Sequence, residues 1–79
     1  MKLPRDLDAA QLVKALSRIG YKIVRQTGSH MRLQCEEPAH AITIPNHSPL
    51  RIGTLSAILG DLAVKRELDR ESLIKILFP

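Results

Sequence analysis

The sequence predicts an α+β fold: one helix, three antiparallel strands, then a second helix and a short third one. Three observations predict it. A fully punctuated helix occupies residues 8–20, three runs of period-two alternation lie between 21 and 45, and helical spacing returns from Leu55 onward. One sheet with helices on a single face is the architecture that satisfies this order, and its other face is left to solvent or to a partner.

In "DLDAAQLVKALSRIG" Asp8 is a good N-cap, and Gln11 completes a capping box three residues on. Leu7 and Leu12 stand at the staple positions around it. Leu12, Leu16 and Ile19 fall on one stripe with Val13 beside them, while Lys14 and Arg18 face away. Gly20 sits where a left-handed C-terminal cap is wanted.

The strand-like runs are "YKIVRQ", "HMRLQC" and "HAITIP", joined by "TGS" and by "EEPA". Side chains switch faces at every step of a strand, so the loops set the register. A four-residue loop at 36–39 places Cys35 opposite His40, Leu33 opposite Ile42 and Met31 opposite Ile44. A three-residue loop at 27–29, with Gly28 free to take positive φ, sets Ile23 opposite Leu33 and Tyr21 opposite Cys35. One face then collects Tyr21, Ile23, Met31, Leu33, Cys35, Ile42 and Ile44 as core. The other collects Lys22, Val24, Gln26, His30, Arg32, Gln34, Ala41 and Thr43.

After Pro45 the stretch "NHSPLRIG" is turn-rich, and the second helix begins near Ser48-Pro49 or nearer Thr54. Leu55, Ile58, Leu59 and Leu62 give it an apolar stripe, and "AVKRE" reads as a connection or a frayed continuation. Asp69 caps the last short helix, with Leu68 and Leu73 at staple positions and Leu73, Ile74 and Leu77 for burial. Residues 1–79 show no repeat, linker or low-complexity segment, and read as a single domain.

A chain of 79 residues hides only roughly 60% of the surface its unfolded form exposes, which argues against a large cofactor or a deep cavity. Its 44% hydrophobic and 25% charged residues are a globular composition. Tyr21 and Phe78 are the only aromatics, too few for a base-stacking platform. The net charge of +4 suits a polyanionic partner. A lone cysteine, Cys35, favours a reducing compartment, and with no leader-like or membrane-spanning apolar stretch the expected location is cytoplasmic.

His30 is the first candidate for chemistry. It adjoins a turn, lies on the face turned away from the helices, and has Arg32 projecting from the same face two residues on. An imidazole with a reference pKa of roughly 6.5 moves protons at neutral pH. A guanidinium holds phosphate. An acid/base group beside a cationic anchor is the minimum for cleaving RNA, whose 2′-hydroxyl is an internal nucleophile. His40 falls at the core end of its strand and reads as partly buried and hydrogen-bonded, while His47 reads as a solvated loop residue. A metal site from Cys35, His40 and His47 lacks the paired-ligand spacing of structural zinc sites, and no metal is expected. Lys65, Arg66 and Arg70 form a basic patch best read as solvated helix surface. No nucleophile elbow, phosphate-binding glycine loop or dinucleotide fingerprint is present.

The runs "LVKALSRIGYKIVRQTGSHMRL", "ITIPNHSPLRIGTLSAIL" and "LDRESLIKIL" resemble the HicA family, small messenger-RNA interferases of toxin–antitoxin systems. The most specific pieces are the glycine before the first strand, "GSH" at 28–30, "TIP" closing the third strand and "GTL" opening the second helix. The resemblance implies a fold like a double-stranded RNA-binding domain, α-β-β-β-α with an added short helix. It implies an endoribonuclease that needs no ribosome, metal or other cofactor, with His30 as its catalytic histidine and a HicB-like antitoxin protein as partner. Arg32, with Lys22, Ser29 and Thr43, supplies the candidate RNA contacts. "GSHM" at 28–31 matches a tag-cleavage scar in letters only, since it lies inside "VRQTGSHMRLQ" and delivers His30 to the sheet. Two other readings compete: a non-catalytic RNA-binding module of the same fold, and an adaptor whose sheet face docks a protein.

Overall fold

The computed structural model of the chain describes residues 6–47 and 49–79. Its elements are α1 (Ala9–Ser17), β1 (Lys22–Gln26), β2 (His30–Glu36), β3 (Ala39–Pro45), α2 (Ile52–Lys65) and α3 (Arg70–Leu77). The strands form one antiparallel sheet in the order β1-β2-β3, so β2 is central. This is the α-β-β-β-α order with an extra helix that the sequence predicts.

α1 starts where its cap chemistry says it should. The Asp8 side chain accepts from the Gln11 amide at 2.8 Å, and the Gln11 side chain accepts from the Asp8 amide at 3.0 Å. Leu12 and Leu16 from this helix are completely buried together with Leu33 of β2 and Ile44 of β3. Each such side chain contributes about 1.5–3 kcal/mol of apolar burial. The turn that follows α1 closes at Gly20, whose φ of 101° is left-handed, with the position of a Cβ only 3.2 Å from the Cys35 sulfur. α3 is capped by Asp69, which accepts from the Ser72 amide at 2.7 Å.

β2 alternates buried and exposed without a break, and its pairing with β3 has Cys35 opposite His40, Leu33 opposite Ile42 and Met31 opposite Ile44, as predicted. The pairing continues one step further, to Glu36 opposite Ala39, so the link is a two-residue turn at Glu37-Pro38. β1 departs from expectation. Ile23 does pair with Leu33, but it remains 42% exposed, because β1 lies at the open edge of the sheet. Beyond Ile23 the register shifts by one: Arg25 pairs with Arg32 and Gln26 with Met31, leaving Val24 as the extra residue of a bulge. Gln26 therefore does not stand opposite His30.

α2 decides between the alternatives that the sequence leaves open at both of its ends. Of the two starts left open, near Ser48-Pro49 and nearer Thr54, the second is the closer: Ser48 lies outside the described residues, Pro49 precedes the helix, and Thr54 is its third residue. The helix begins at Ile52 behind an extended Arg51 that makes no side-chain cap. At the other end Ala63, Val64 and Lys65 are helical, with Ala63 buried, so the first part of "AVKRE" is core-forming helix. Among the described residues no helix is long and apolar enough to cross a membrane.

Candidate functional site

The helices bury the inner face of the sheet, and the outward side chains of the central strand are all exposed: His30, Arg32, Gln34 and Glu36. His30 is the first residue of β2, at the mouth of the β1–β2 turn. That turn is organised by Thr27. Its amide donates to the His30 carbonyl at 2.9 Å, and its hydroxyl oxygen accepts from the His30 amide at 3.1 Å and the Ser29 amide at 3.4 Å. A threonine hydroxyl that ties down amides two and three residues on is a local turn device. The Asn46 amide donates to the Ser29 carbonyl at 2.8 Å and anchors the turn to the end of β3. Gly28 contributes no left-handed backbone, contrary to expectation, and a Cβ there would meet open space.

The imidazole is oriented by its neighbour. Ser29 Oγ lies 2.9 Å from His30 Nδ1. Among the described residues Nε2 has no hydrogen-bond partner, and the residue is exposed, which leaves this nitrogen available to a ligand. A serine hydroxyl either donates or accepts, so this contact serves either neutral tautomer and the protonated ring alike. Arg32, two residues on, donates from Nη1 to Thr43 Oγ1 at 2.8 Å, which fixes the guanidinium over the sheet. Thr43 is its cross-strand partner on β3.

These groups line one depression of about 440 Å³, walled by Val24, Arg25, Thr27, His30, Arg32 and Thr43. His30, Arg32 and Thr43 are thus brought together, with Ser29 behind the ring. Lys22 is not among them. It stands opposite Gln34 and lines a neighbouring depression that also contains Glu36 and Glu37. The sequence reading missed Thr27 and Arg25. The signal for Thr27 was its position two residues before the serine it ties down. Arg25 gave a louder one: regular alternation from Ile23 would put an arginine on the core face, and only a bulge avoids that.

The other histidines are placed elsewhere. His40 is 12% exposed in its side chain and sits between Tyr21 and Asp61. Every partner is satisfied when the Tyr21 hydroxyl donates to Nδ1 at 2.7 Å and Nε2–H donates to Asp61 at 3.3 Å. With both nitrogens engaged His40 is a structural residue, although Cys35 is its cross-strand neighbour. His47 is exposed, and its carbonyl accepts from the Ala9 amide at the start of α1. Arg66 and Arg70 are not free surface cations. Arg66 lies over the Tyr21 ring at 5.3 Å, and Arg70 donates to Ser56 at 2.7 Å.

The family described as HicA toxin of bacterial toxin–antitoxin systems matches residues 9–64, a span that runs from α1 to the end of α2 and includes the depression. No curated protein and no solved structure matches the chain.

Proposed function

Because the chain belongs to the HicA toxin family of bacterial toxin–antitoxin systems, we propose that it acts as an endoribonuclease on messenger RNA, with His30 as its catalytic residue. The observation that carries this reading is the exposed His30 ring, tethered through Nδ1 by Ser29, open at Nε2 and set beside Arg32.

RNA supplies its own nucleophile, so one proton-transferring group suffices to start the reaction. Nε2 removes the proton from a 2′-hydroxyl, whose oxygen attacks the adjacent phosphorus. The bond from phosphorus to the 5′-oxygen breaks, and the imidazolium returns a proton to that leaving oxygen. The products are a 2′,3′-cyclic phosphate and a free 5′-hydroxyl, with every proton accounted for. Ser29 keeps the ring aimed through both halves, accepting from Nδ1–H while Nε2 is the base. Arg32, held by Thr43, stabilises the negative charge that builds on the phosphoryl oxygens. Lys22, further along the same face, meets the neighbouring backbone. A HicB-like antitoxin silences the enzyme by covering this face, and both act in the cytoplasm without a ribosome or a bound metal.

The test is cleavage of a labelled single-stranded RNA in the presence of a chelator. The parent should shorten it, and His30→Ala should slow cleavage by about 10²–10⁴-fold, the range a single acid/base group contributes. The variant's thermal melt should match the parent's, because the ring packs against no core residue. Cleavage by His30→Ala at the parental rate would sink the assignment. An RNA that the parent binds but never shortens would favour the non-catalytic module.

A further inference from the structure

Beside Arg32 the outer face holds a second arginine, Arg25, that the proposed cleavage does not use. The bulge at Val24 turns Arg25 to stand directly opposite Arg32, side by side on the exposed face of β1 and β2. Like charges directly opposed across an antiparallel pair are destabilising. Nothing in the fold offsets this one. Among the described residues no carboxylate lies within ion-pair distance of either guanidinium, and the Arg25 side chain makes no hydrogen bond. A regular strand would have avoided the clash by sending residue 25 to the other face. The bulge creates the pair, and it creates it in the wall of the depression that contains His30.

We propose that Arg25 and Arg32 form a two-pronged clamp for one phosphodiester of the RNA chain, with the bulge as the device that assembles it. This inference rests on the RNA-cleaving reading of the site. Facing residues of adjacent strands have Cβ atoms roughly 4.5–5.5 Å apart, close enough for two guanidiniums to take the two non-bridging oxygens of one phosphate. A bound phosphate converts mutual repulsion into two charge-assisted contacts. Arg32 has one donor committed to Thr43 and its remaining donors free, whereas Arg25 has all of its donors free. Val24, 56% exposed beside them, offers the apolar surface that a ribose covers. Arg25 is thus a substrate-binding residue, whose loss weakens the hold on RNA without touching the proton transfers.

The experiment separates binding from cleavage by working in a His30→Ala background. Affinity for a labelled single-stranded RNA is measured across a salt series for that parent and for added Arg25→Gln, Arg25→Lys, Arg32→Gln and Lys14→Gln. Lys14 is an exposed cation of α1, which packs on the opposite face of the sheet. Arg25→Gln and Arg32→Gln should each weaken binding about ten-fold and reduce the slope of log K against log salt by about 0.7. Arg25→Lys should keep the slope but not the full affinity, since an ammonium lacks the fork. Lys14→Gln should change neither. Without RNA, Arg25→Gln should melt no lower than its parent because a repulsion has been relieved, a result that a structural role for Arg25 would not give. If Arg25→Gln keeps parental affinity and slope while Arg32→Gln loses both, the clamp is wrong and the RNA reading survives. If the His30→Ala parent shows no salt-dependent affinity for RNA, both fall.

Discussion

An imidazole moves protons usefully only when its ring is held and its working nitrogen is left open, and a four-residue turn arranges both for His30. Thr27 holds the backbone of Ser29 and His30, and Ser29 holds the ring. Glycine conformation, by contrast, matters at the other end of β1. Gly20 adopts a φ of 101° with a Cβ position 3.2 Å from the Cys35 sulfur, whereas Gly28 has ordinary backbone and open space around it. Gly20→Ala should therefore destabilise the protein by about 1–2 kcal/mol, through left-handed strain and crowding together. Gly28→Ala should change stability by less than about 0.5 kcal/mol, as exposed substitutions away from special geometry usually do. Chemical unfolding of the two variants decides it, and a larger loss from Gly28→Ala would mean that the turn samples a conformation only glycine reaches. The outward placement of His30 was legible from period-two alternation, because β2 is regular from end to end. Arg25 was not, since alternation carries no information past an inserted residue, and Val24 is such a residue.

The end of α2 shows how a helix can stop without an obvious sign. The Leu68 amide donates to the Ala63 carbonyl at 2.9 Å and the Glu67 amide to the Val64 carbonyl at 3.2 Å, the pair of bonds that makes a Schellman ending. The residue that must be left-handed in this motif is Glu67, with a φ of 55°. Glycine usually stands there, so "AVKRE" left a connection and a frayed continuation equally open, and its first three residues prove to continue the helix. A glutamate at this position is doubly unfavourable, being strained and placing negative charge at the negative end of the helix. Glu67→Gly should raise stability by about 1 kcal/mol, visible as a higher melting temperature with unchanged secondary structure. A lower melting temperature would show that Glu67 makes a compensating contact. The beginning of α2 was equally hard to place, because Arg51 supplies no side-chain cap. α1 and α3 were readable at both the cap and the staple because Asp8, Gln11 and Asp69 do the capping through their own side chains.

The depression that holds His30 and the joints that hold the layers together occupy different parts of the fold. Immediately before β1, Tyr21 is 1% exposed and bonded to His40 on β3, which in turn meets Asp61 on α2. Arg66, one residue past α2, lies over the Tyr21 ring and donates to the Ile19 carbonyl and to the Cys35 sulfur. Two strands, a helix and the α1–β1 link thus meet at one phenol. The Asp61 end of this chain is 64% exposed, so its contact with His40 adds little, and the part-buried Tyr21–His40 bond carries the weight. Burial raises the Tyr21 pKa above its ordinary value of 10.0, although hydrogen bonding and charge from Arg66 pull against it. The sign follows from linkage. With the folded pKa above the unfolded one, the stability Tyr21 contributes is complete below pH 10 and is lost as pH rises through the raised value. Tyr21→Phe should cost about 1–3 kcal/mol at pH 7, because His40 Nδ1 is left without its partner. That gap to the parent should shrink as pH climbs beyond 10, since only the parent has a phenol to ionise. Urea midpoints of the two proteins at pH 7 and near pH 11 measure it, and a gap of constant size would show that the phenol reaches solvent in the folded state. The cleavage proposed for His30 should persist at pH 7 in Tyr21→Phe wherever the fold does, because neither the phenol nor His40 lines the depression that holds His30.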